Sequence, residues 1–213
     1  MKQFSKILKY DIGNFHACVI DKLQGLVCWG ENNFKQLDIP SDIDVKKVQD
    51  VVAGYDYTCI IYEDSLRYWG ASLYDALNYP QNIKGKVLEI KGTGINICLR
   101  DEESIKCWGK IEGEPQTLPQ PPQSIDYKSL EMWEVGGWNA CARDKNNLHC
   151  WLGGFGLSLN KPDTLPLYRD ISISRYKVCV LTNDDLYICW GLNDQDFATT
   201  WEPVPIKRHF HRP

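Results

Sequence analysis

The run Leu26-Val27-Cys28-Trp29-Gly30 decides the fold, because the chain spells it four more times: Leu66-Arg67-Tyr68-Trp69-Gly70, Ile105-Lys106-Cys107-Trp108-Gly109, Leu148-His149-Cys150-Trp151-Leu152 and Tyr187-Ile188-Cys189-Trp190-Gly191. From Trp29 through Trp69, Trp108 and Trp151 to Trp190 the steps are 40, 39, 43 and 39 residues, an internal period of about forty. A second Cys lies nine or ten residues ahead of the first in four units, as Cys18/Cys28, Cys98/Cys107, Cys141/Cys150 and Cys179/Cys189. In the remaining unit Cys59 faces Tyr68.

Between these positions lie polar turns such as Asp101-Glu102-Glu103-Ser104 and Asp144-Lys145-Asn146-Asn147, flanked by β-forming runs such as Cys59-Ile60-Ile61-Tyr62 and Val178-Cys179-Val180-Leu181. Each unit therefore reads as a β-hairpin. A two-residue loop at Glu102-Glu103 sets Cys98 opposite Cys107 and Ile97 opposite Trp108. The same rule sets Ala17, Thr58, Ala140 and Val178 opposite Trp29, Trp69, Trp151 and Trp190, so each indole faces a smaller partner. Neighbouring strand positions point to opposite faces, which puts Cys and Trp on opposite faces of one hairpin.

A sheet with two apolar faces must be covered on both, and identical sheets stacked around an axis achieve this. A further strand is expected before each hairpin, at Lys6–Tyr10, Val48–Val52, Val87–Ile90, Leu130–Val135 and Tyr168–Ile173. Each is followed by a small residue where the chain turns, at Gly13, Gly54, Thr93, Gly136 and Ser174. The expected architecture is all-β: a β-propeller-like repeat domain of five blades of about forty residues. It is a single repeat domain over 1–213, with repeats at approximately 5–42, 46–84, 86–126, 129–166 and 167–205. Residues 206–213 are expected as a closing strand that pairs with the first blade or covers an open edge, or as a tail.

The pattern resembles the regulator of chromosome condensation repeat family, whose units read roughly Gly-x-x-His-x-Cys, a few turn residues, Cys-Trp-Gly and then Gly-Gln-Leu. The first repeat carries the likeness most fully, in Gly13-Asn14-Phe15-His16-Ala17-Cys18, Cys28-Trp29-Gly30 and Gln36-Leu37, and Ala53-Gly54-Tyr55-Asp56-Tyr57-Thr58-Cys59 is recognisable. The resemblance covers nearly the whole chain and implies a propeller. The family's propellers typically have seven blades, against five counted here. The family His is His16 in the first unit and is replaced by Tyr57, Asn96, Asn139 and Lys177. A WD-type propeller would want Trp-Asp, whereas Trp is followed by Gly in four of the five units.

The 213 residues carry 24 Lys+Arg against 28 Asp+Glu, a formal charge of −4, which argues against broad nucleic-acid or anionic-membrane binding. No apolar run approaches the roughly 18 to 20 residues that span a bilayer, so no membrane insertion is expected. Lys6, Lys9 and Asp11 interrupt the first residues, which do not read as a secretory signal. A cytoplasmic location is expected from that, and an extracellular one if the cysteine pairs are oxidised. Opposed Cys can form disulfides or remain buried thiols, and both readings stand for Cys18, Cys28, Cys98, Cys107, Cys141, Cys150, Cys179 and Cys189.

Nothing points to catalysis, a cofactor or a metal. There is no phosphate loop, no Gly-x-Ser-x-Gly elbow and no His-Glu-x-x-His, and Gly153-Gly154-Phe155-Gly156 reads as a connecting loop. His209-Phe210-His211 reads as an exposed tail, and His16 and His149 as structural.

The turns leading into the hairpins are the candidate site. They carry Asn14-Phe15, Tyr55-Asp56, Gly94-Ile95, Gly137-Trp138 and Arg175-Tyr176, an aromatic in four of five. Equivalent turns of a propeller converge on one face, and aromatic and Arg side chains there make a protein-binding rim. Phe15, Tyr55, Asp56, Ile95, Trp138, Arg175 and Tyr176 are the expected partner-binding residues, Trp138 foremost. The expected function is a non-catalytic protein-protein interaction module or subunit, not an enzyme. The alternatives are an exchange-type regulator of a small GTPase, which the resemblance implies, and, from another class, a secreted, disulfide-stapled inhibitor or adhesin.

Overall fold

The computed structural model describes residues 3–71, 80, 82–94, 96–109, 120–137, 139–145, 147–152, 162, 164–174, 177–191 and 204–205. Five antiparallel sheets follow one another along the chain, each with its strands in chain order. The first holds β1 (Ile7–Ile12), β2 (His16–Asp21) and β3 (Gly25–Gly30). The second holds β4 (Val48–Ala53), β5 (Tyr57–Tyr62) and β6 (Ser65–Gly70). The third holds β7 (Glu89–Gly92), β8 (Asn96–Arg100) and β9 (Ile105–Gly109). The fourth holds β10 (Met132–Val135), β11 (Asn139–Arg143) and β12 (Leu148–Leu152). The fifth holds β13 (Tyr168–Ile173), β14 (Lys177–Thr182), β15 (Leu186–Gly191) and the short β16 (Val204–Pro205). Among the described residues the helical segments are two 3-10 turns, Val45–Lys47 and Tyr127–Ser129, whose first amides are capped by Asp44 and Asp126.

The register follows the hairpin rule. Ala17, Thr58, Ile97, Ala140 and Val178 pair with the five repeat tryptophans, and Cys18, Cys98, Cys141 and Cys179 pair with Cys28, Cys107, Cys150 and Cys189. Cys59 pairs with Tyr68. Each leading turn is closed by an N–H of its small residue donating to the carbonyl three positions on: Gly13 to His16, Gly54 to Tyr57, Thr93 to Asn96, Gly136 to Asn139 and Ser174 to Lys177. The Gly after the Trp is equally constrained. At Gly30 (φ 126°) and Gly70 (φ 105°) a Cβ would lie 2.4 Å from the carbonyl oxygen of Phe15 or Asp56.

The blades stack in sequence, and one rule governs every interface. The Cys face of a blade packs on the Trp face of the next. Cys18, Ile20 and Leu26 of the first blade share a core with Val51, Ile60 and Trp69 of the second. Cys59 and Ile61 pack with Ile97 and Trp108, Cys98 and Cys107 with Ala140 and Trp151, and Cys141 with Val178 and Trp190. The first strands of successive blades touch one another (β1 with β4, β4 with β7, β7 with β10, β10 with β13), which places them at the hub where the blades converge.

Four disulfides join the opposed pairs, Cys18–Cys28, Cys98–Cys107, Cys141–Cys150 and Cys179–Cys189, with Cα atoms 4.1 Å apart in each. Cys59 is a free, buried cysteine, and burial pushes its thiol well above its ordinary pKa. Val204 and Pro205 pair with Tyr187 and Leu186, so the chain extends the outer edge of the fifth blade with a fourth strand. The expected closing strand over 206–213 lies outside the described residues.

Candidate functional site

The turns leading into the first three hairpins meet. The Phe15 and Tyr55 rings pack edge to face with centroids 4.8 Å apart, and the Tyr55 N–H donates to the Gly94 carbonyl at 2.9 Å. A Cβ at Gly94 would lie 2.4 Å from the Asn14 side-chain oxygen, so the first and third turns approach closely here. Phe15 remains 41% exposed and Tyr55 half-buried, which leaves an aromatic edge on this rim. Asp56 does not reach that surface. Its residue is fully buried, and its carbonyl accepts the Ala71 N–H at 3.0 Å, which holds the backbone against the strand end. Ile95, Trp138, Arg175 and Tyr176 lie outside the described residues, as does Trp201. Trp133 is buried at the hub, where its indole N–H donates to Glu89 Oε2 at 2.5 Å.

Beneath the rim, the position that holds the family His latches one blade to the next. His16 Nε2 lies 2.9 Å from Thr58 Oγ1, Tyr57 Oη donates to the Thr93 carbonyl at 3.1 Å, and the Asn96 side-chain amide donates to the Gly137 carbonyl. Three different side chains perform one task, so what reads in sequence as decay of a motif is substitution with retained function. The first latch continues inward. Thr58 Oγ1 donates to the Gln36 carbonyl at 2.7 Å, and the Trp69 indole N–H donates to the same oxygen at 2.9 Å. Because the Thr58 proton is committed to Gln36, His16 Nε2 is the donor, which fixes its tautomer. Burial lowers the His16 pKa and keeps the ring neutral.

At the hub, the first strands carry alternating charges over a cavity of about 180 Å³ lined by Lys9, Asp11, Asp50, Glu89, Lys91 and Glu134, among others. Lys9 pairs with Asp50 at 3.4 Å, and Lys91 with Glu134 at 2.9 Å and Glu89 at 3.6 Å. Asp11 accepts the Ala53 N–H at 2.7 Å. Burial pushes Asp11 up to about 6; that bond opposes the shift, and the charges of Asp50 and Glu134 add to it. Burial works against the Lys91 charge, but Glu134 and Glu89 outweigh it and raise its pKa. Two lysines and four carboxylates are tied across neighbouring blades, the arrangement of interblade ties rather than of a nucleophile facing a base.

The residue three after the first Cys of each unit was not singled out in the sequence, although it recurs as Asp21, Tyr62, Asp101, Asp144 and Thr182. Asp21 and Asp101 each use one carboxylate oxygen to cap their own turn and the other to bind the backbone entering the blade, at Ser5 and Lys6 and at Lys84. Asp144 does the same with Asn147 and Asp126 and also holds His149 Nε2 at 2.9 Å. Tyr62 keeps half of the task, its hydroxyl accepting the Asp44 N–H at 3.4 Å. Between the outer ends of the fourth and fifth blades a cavity of about 660 Å³ is spanned by Arg143, which donates to the Tyr168 carbonyl at 2.7 Å and pairs with Glu131 at 2.5 Å. Among the described residues no helix is long and apolar enough to cross a membrane, and no group of His, Cys, Asp or Glu could hold a metal ion.

No protein-family model matches the sequence, and no curated protein matches it. Solved structures do. The CRINKLY WD40 ectodomain of the Arabidopsis thaliana receptor kinase ACR4 superposes with a TM-score of 0.65 at 21% identity, over 94% of this chain and 69% of that one. The ectodomain of the Physcomitrella patens receptor kinase CR4 gives 0.58 at 17%, over 84% and 50%. Prp20p of Saccharomyces cerevisiae, the yeast RCC1, gives 0.66 at 17%, over 89% and 58%. The chain thus spans half to two thirds of the length of these propellers. Together with the forty-residue register, the likeness shows the fold: an RCC1-like, all-β repeat propeller of five blades.

Proposed function

We propose that this chain, as one repeat domain over residues 1–213, is a non-catalytic protein-interaction module that engages a protein partner through the rim of leading turns. The observation that carries this reading is the Phe15–Tyr55 pair, an exposed aromatic edge held on a scaffold latched from below by His16, Thr58 and Gln36. A large ring fixed by neighbours loses little freedom on binding and offers wide apolar contact, which is how a few residues come to dominate an interface. Prp20p has been crystallised and studied for binding to Gsp1p and histones, which supports a protein-binding use of this fold. Trp138, Tyr176, Arg175 and Ile95 extend the proposed surface through the equivalent turns of later units.

The test compares wild type with Phe15→Ala, Tyr55→Ala, Trp138→Ala and Tyr176→Ala in quantitative pull-downs from native cells, with thermal melting of each. Partners lost from the variants while melting temperatures hold would support the rim. Equal recovery by all four would remove it. A second reading, an extracellular disulfide-stapled binder, is favoured by the four disulfides, which are expected only where thiols are not kept reduced. Alkylation of protein from its native compartment without reductant tests it, since eight blocked cysteines are expected there and none in a reducing one.

A further inference from the structure

The first and last blades each present one face that every other blade buries. On the Trp face of the first blade Tyr10 is 68%, Ile12 74% and Trp29 39% exposed. The matching residues of the second blade, Val51, Ala53 and Trp69, are buried in the core they share with the first. At the other end, Tyr187 is 40% exposed, and Cys179, Leu181 and Cys189 on the same face are half-buried, whereas Cys18, Cys59 and Cys141 are fully enclosed.

We infer that the Trp face of the first blade is the docking site for the Cys face of the fifth blade of a second copy of this chain. The occupant follows from the molecule's own packing. All four interfaces inside the chain join a Cys face to the Trp face of the next unit, and the two faces left over are one of each kind. Charge agrees with shape. Lys9 and Asp50 sit at the same strand position in adjacent blades and pair at 3.4 Å. Asp170, paired with Leu181 in the fifth blade, holds that position too, so docking sets it beside Lys9 of the second copy as an opposite charge. A patch of Tyr10, Ile12 and Trp29 on one face is also larger than isolated surface hydrophobes require. Such a contact is heterologous: each copy offers one face and receives the other.

That asymmetry supplies the test. Sedimentation velocity of the 213-residue chain across the micromolar range should show concentration-dependent self-association. Tyr10→Asp breaks the receiving face and Tyr187→Asp the donated face, both at exposed positions where folding is undisturbed, which circular dichroism and melting check. Each variant alone should be monomeric, its association weakened by at least about tenfold. Mixed together they should form a dimer and nothing larger, because one intact face of each kind remains. A monomeric wild type overturns the inference, whether the faces then close on each other within one copy or accept an unrelated protein. So does self-association that either variant leaves unchanged, or a mixture that stays monomeric.

Discussion

The first two blades both follow the repeat, yet their tryptophans live in different surroundings. Trp69 is 8% exposed, wedged in a core with Cys18 and Ile20 and bonded through its indole N–H to the Gln36 carbonyl. Trp29 is 39% exposed and tilts against the Phe4 ring, with centroids 5.8 Å apart. A repeat residue is therefore not a core residue by its spelling. It becomes one when the preceding unit supplies a Cys face, which is the nearest-neighbour logic of stacked repeats.

The largest expected effect breaks that contrast directly. Trp69→Ala removes a buried ring and leaves a cavity, which should cost about 3–5 kcal/mol in denaturant unfolding. Trp29→Ala, at an exposed site in the same repeat position, should cost no more than about 1 kcal/mol. Equal losses at concentrations where the chain is monomeric would mean that Trp29 is covered in solution by something in the same chain.

The cysteines give the next effect. The first blade closes its hairpin with Cys18–Cys28, and the second has Cys59 against Tyr68. Replacing both Cys18 and Cys28 by Ala should lower stability by about 2–3 kcal/mol under non-reducing conditions. Under reductant the difference from wild type should shrink. Cys59, fully buried with a raised pKa, should resist alkylation in the folded protein and be the one thiol labelled in denaturant without reductant. Labelling at several sites would remove the disulfides from the first blade's side of the comparison.

The clasps differ in chemistry as well. In the third blade Asp101 is held down to about 2: burial pushes it up, but Lys106 and the N–H groups of Lys84, Glu103 and Ser104 outweigh that. A carboxyl whose folded pKa lies below its unfolded one stabilises the fold above about pH 4, and that contribution is lost as the pH falls toward 2. Asp101→Asn should therefore be less stable than wild type at neutral pH and converge with it in acid. Tyr62 performs the corresponding task in the second blade without a charge, so Tyr62→Phe should cost the same at both pH values. Melting curves at the two pH values check both, and parallel losses for Asp101→Asn would mean that its charge is irrelevant.

The hairpins and their register were legible because Cys and Trp alternate at fixed offsets, and period-two geometry allows no slip that keeps both layers apolar. The latches and hub ties were not, yet they leave a signal. His16 and Thr58 are 42 residues apart, Asp11 and Ala53 also 42, Lys9 and Asp50 41, Lys91 and Glu134 43, and Glu89 and Trp133 44. Every one of these pairs is separated by a single repeat. Polar residues at corresponding positions of adjacent units are the places to look for interblade bonds. Asp56 misled for a related reason: turn residues next to an aromatic read as exposed, while this one is fully buried and its carbonyl accepts the Ala71 N–H. What no local pattern announces is which blade ends without a neighbour, since that belongs to the stack and not to any unit.

The smallest expected effect lies where the first two blades join at the hub. Asp11 stands on the first and accepts the Ala53 N–H from the second, and its carboxyl is pushed up to about 6 by burial. A folded pKa above the unfolded value makes the acid favourable to the fold while it is protonated. That contribution is complete below about pH 4 and fades as the pH rises through 6. Asp11→Asn keeps an oxygen for the Ala53 N–H and removes the buried charge. It should match wild type near pH 4 and exceed it at pH 8 by a few degrees in melting temperature. Lys9→Ala is the counterpart on the same strand: it strands Asp50, whose own pKa burial already raises, and its cost should grow as the pH rises. If Asp11→Asn and Lys9→Ala shifted stability in the same direction at pH 8, the hub would be tied by packing alone, and the charge ladder would be incidental to how one blade holds the next.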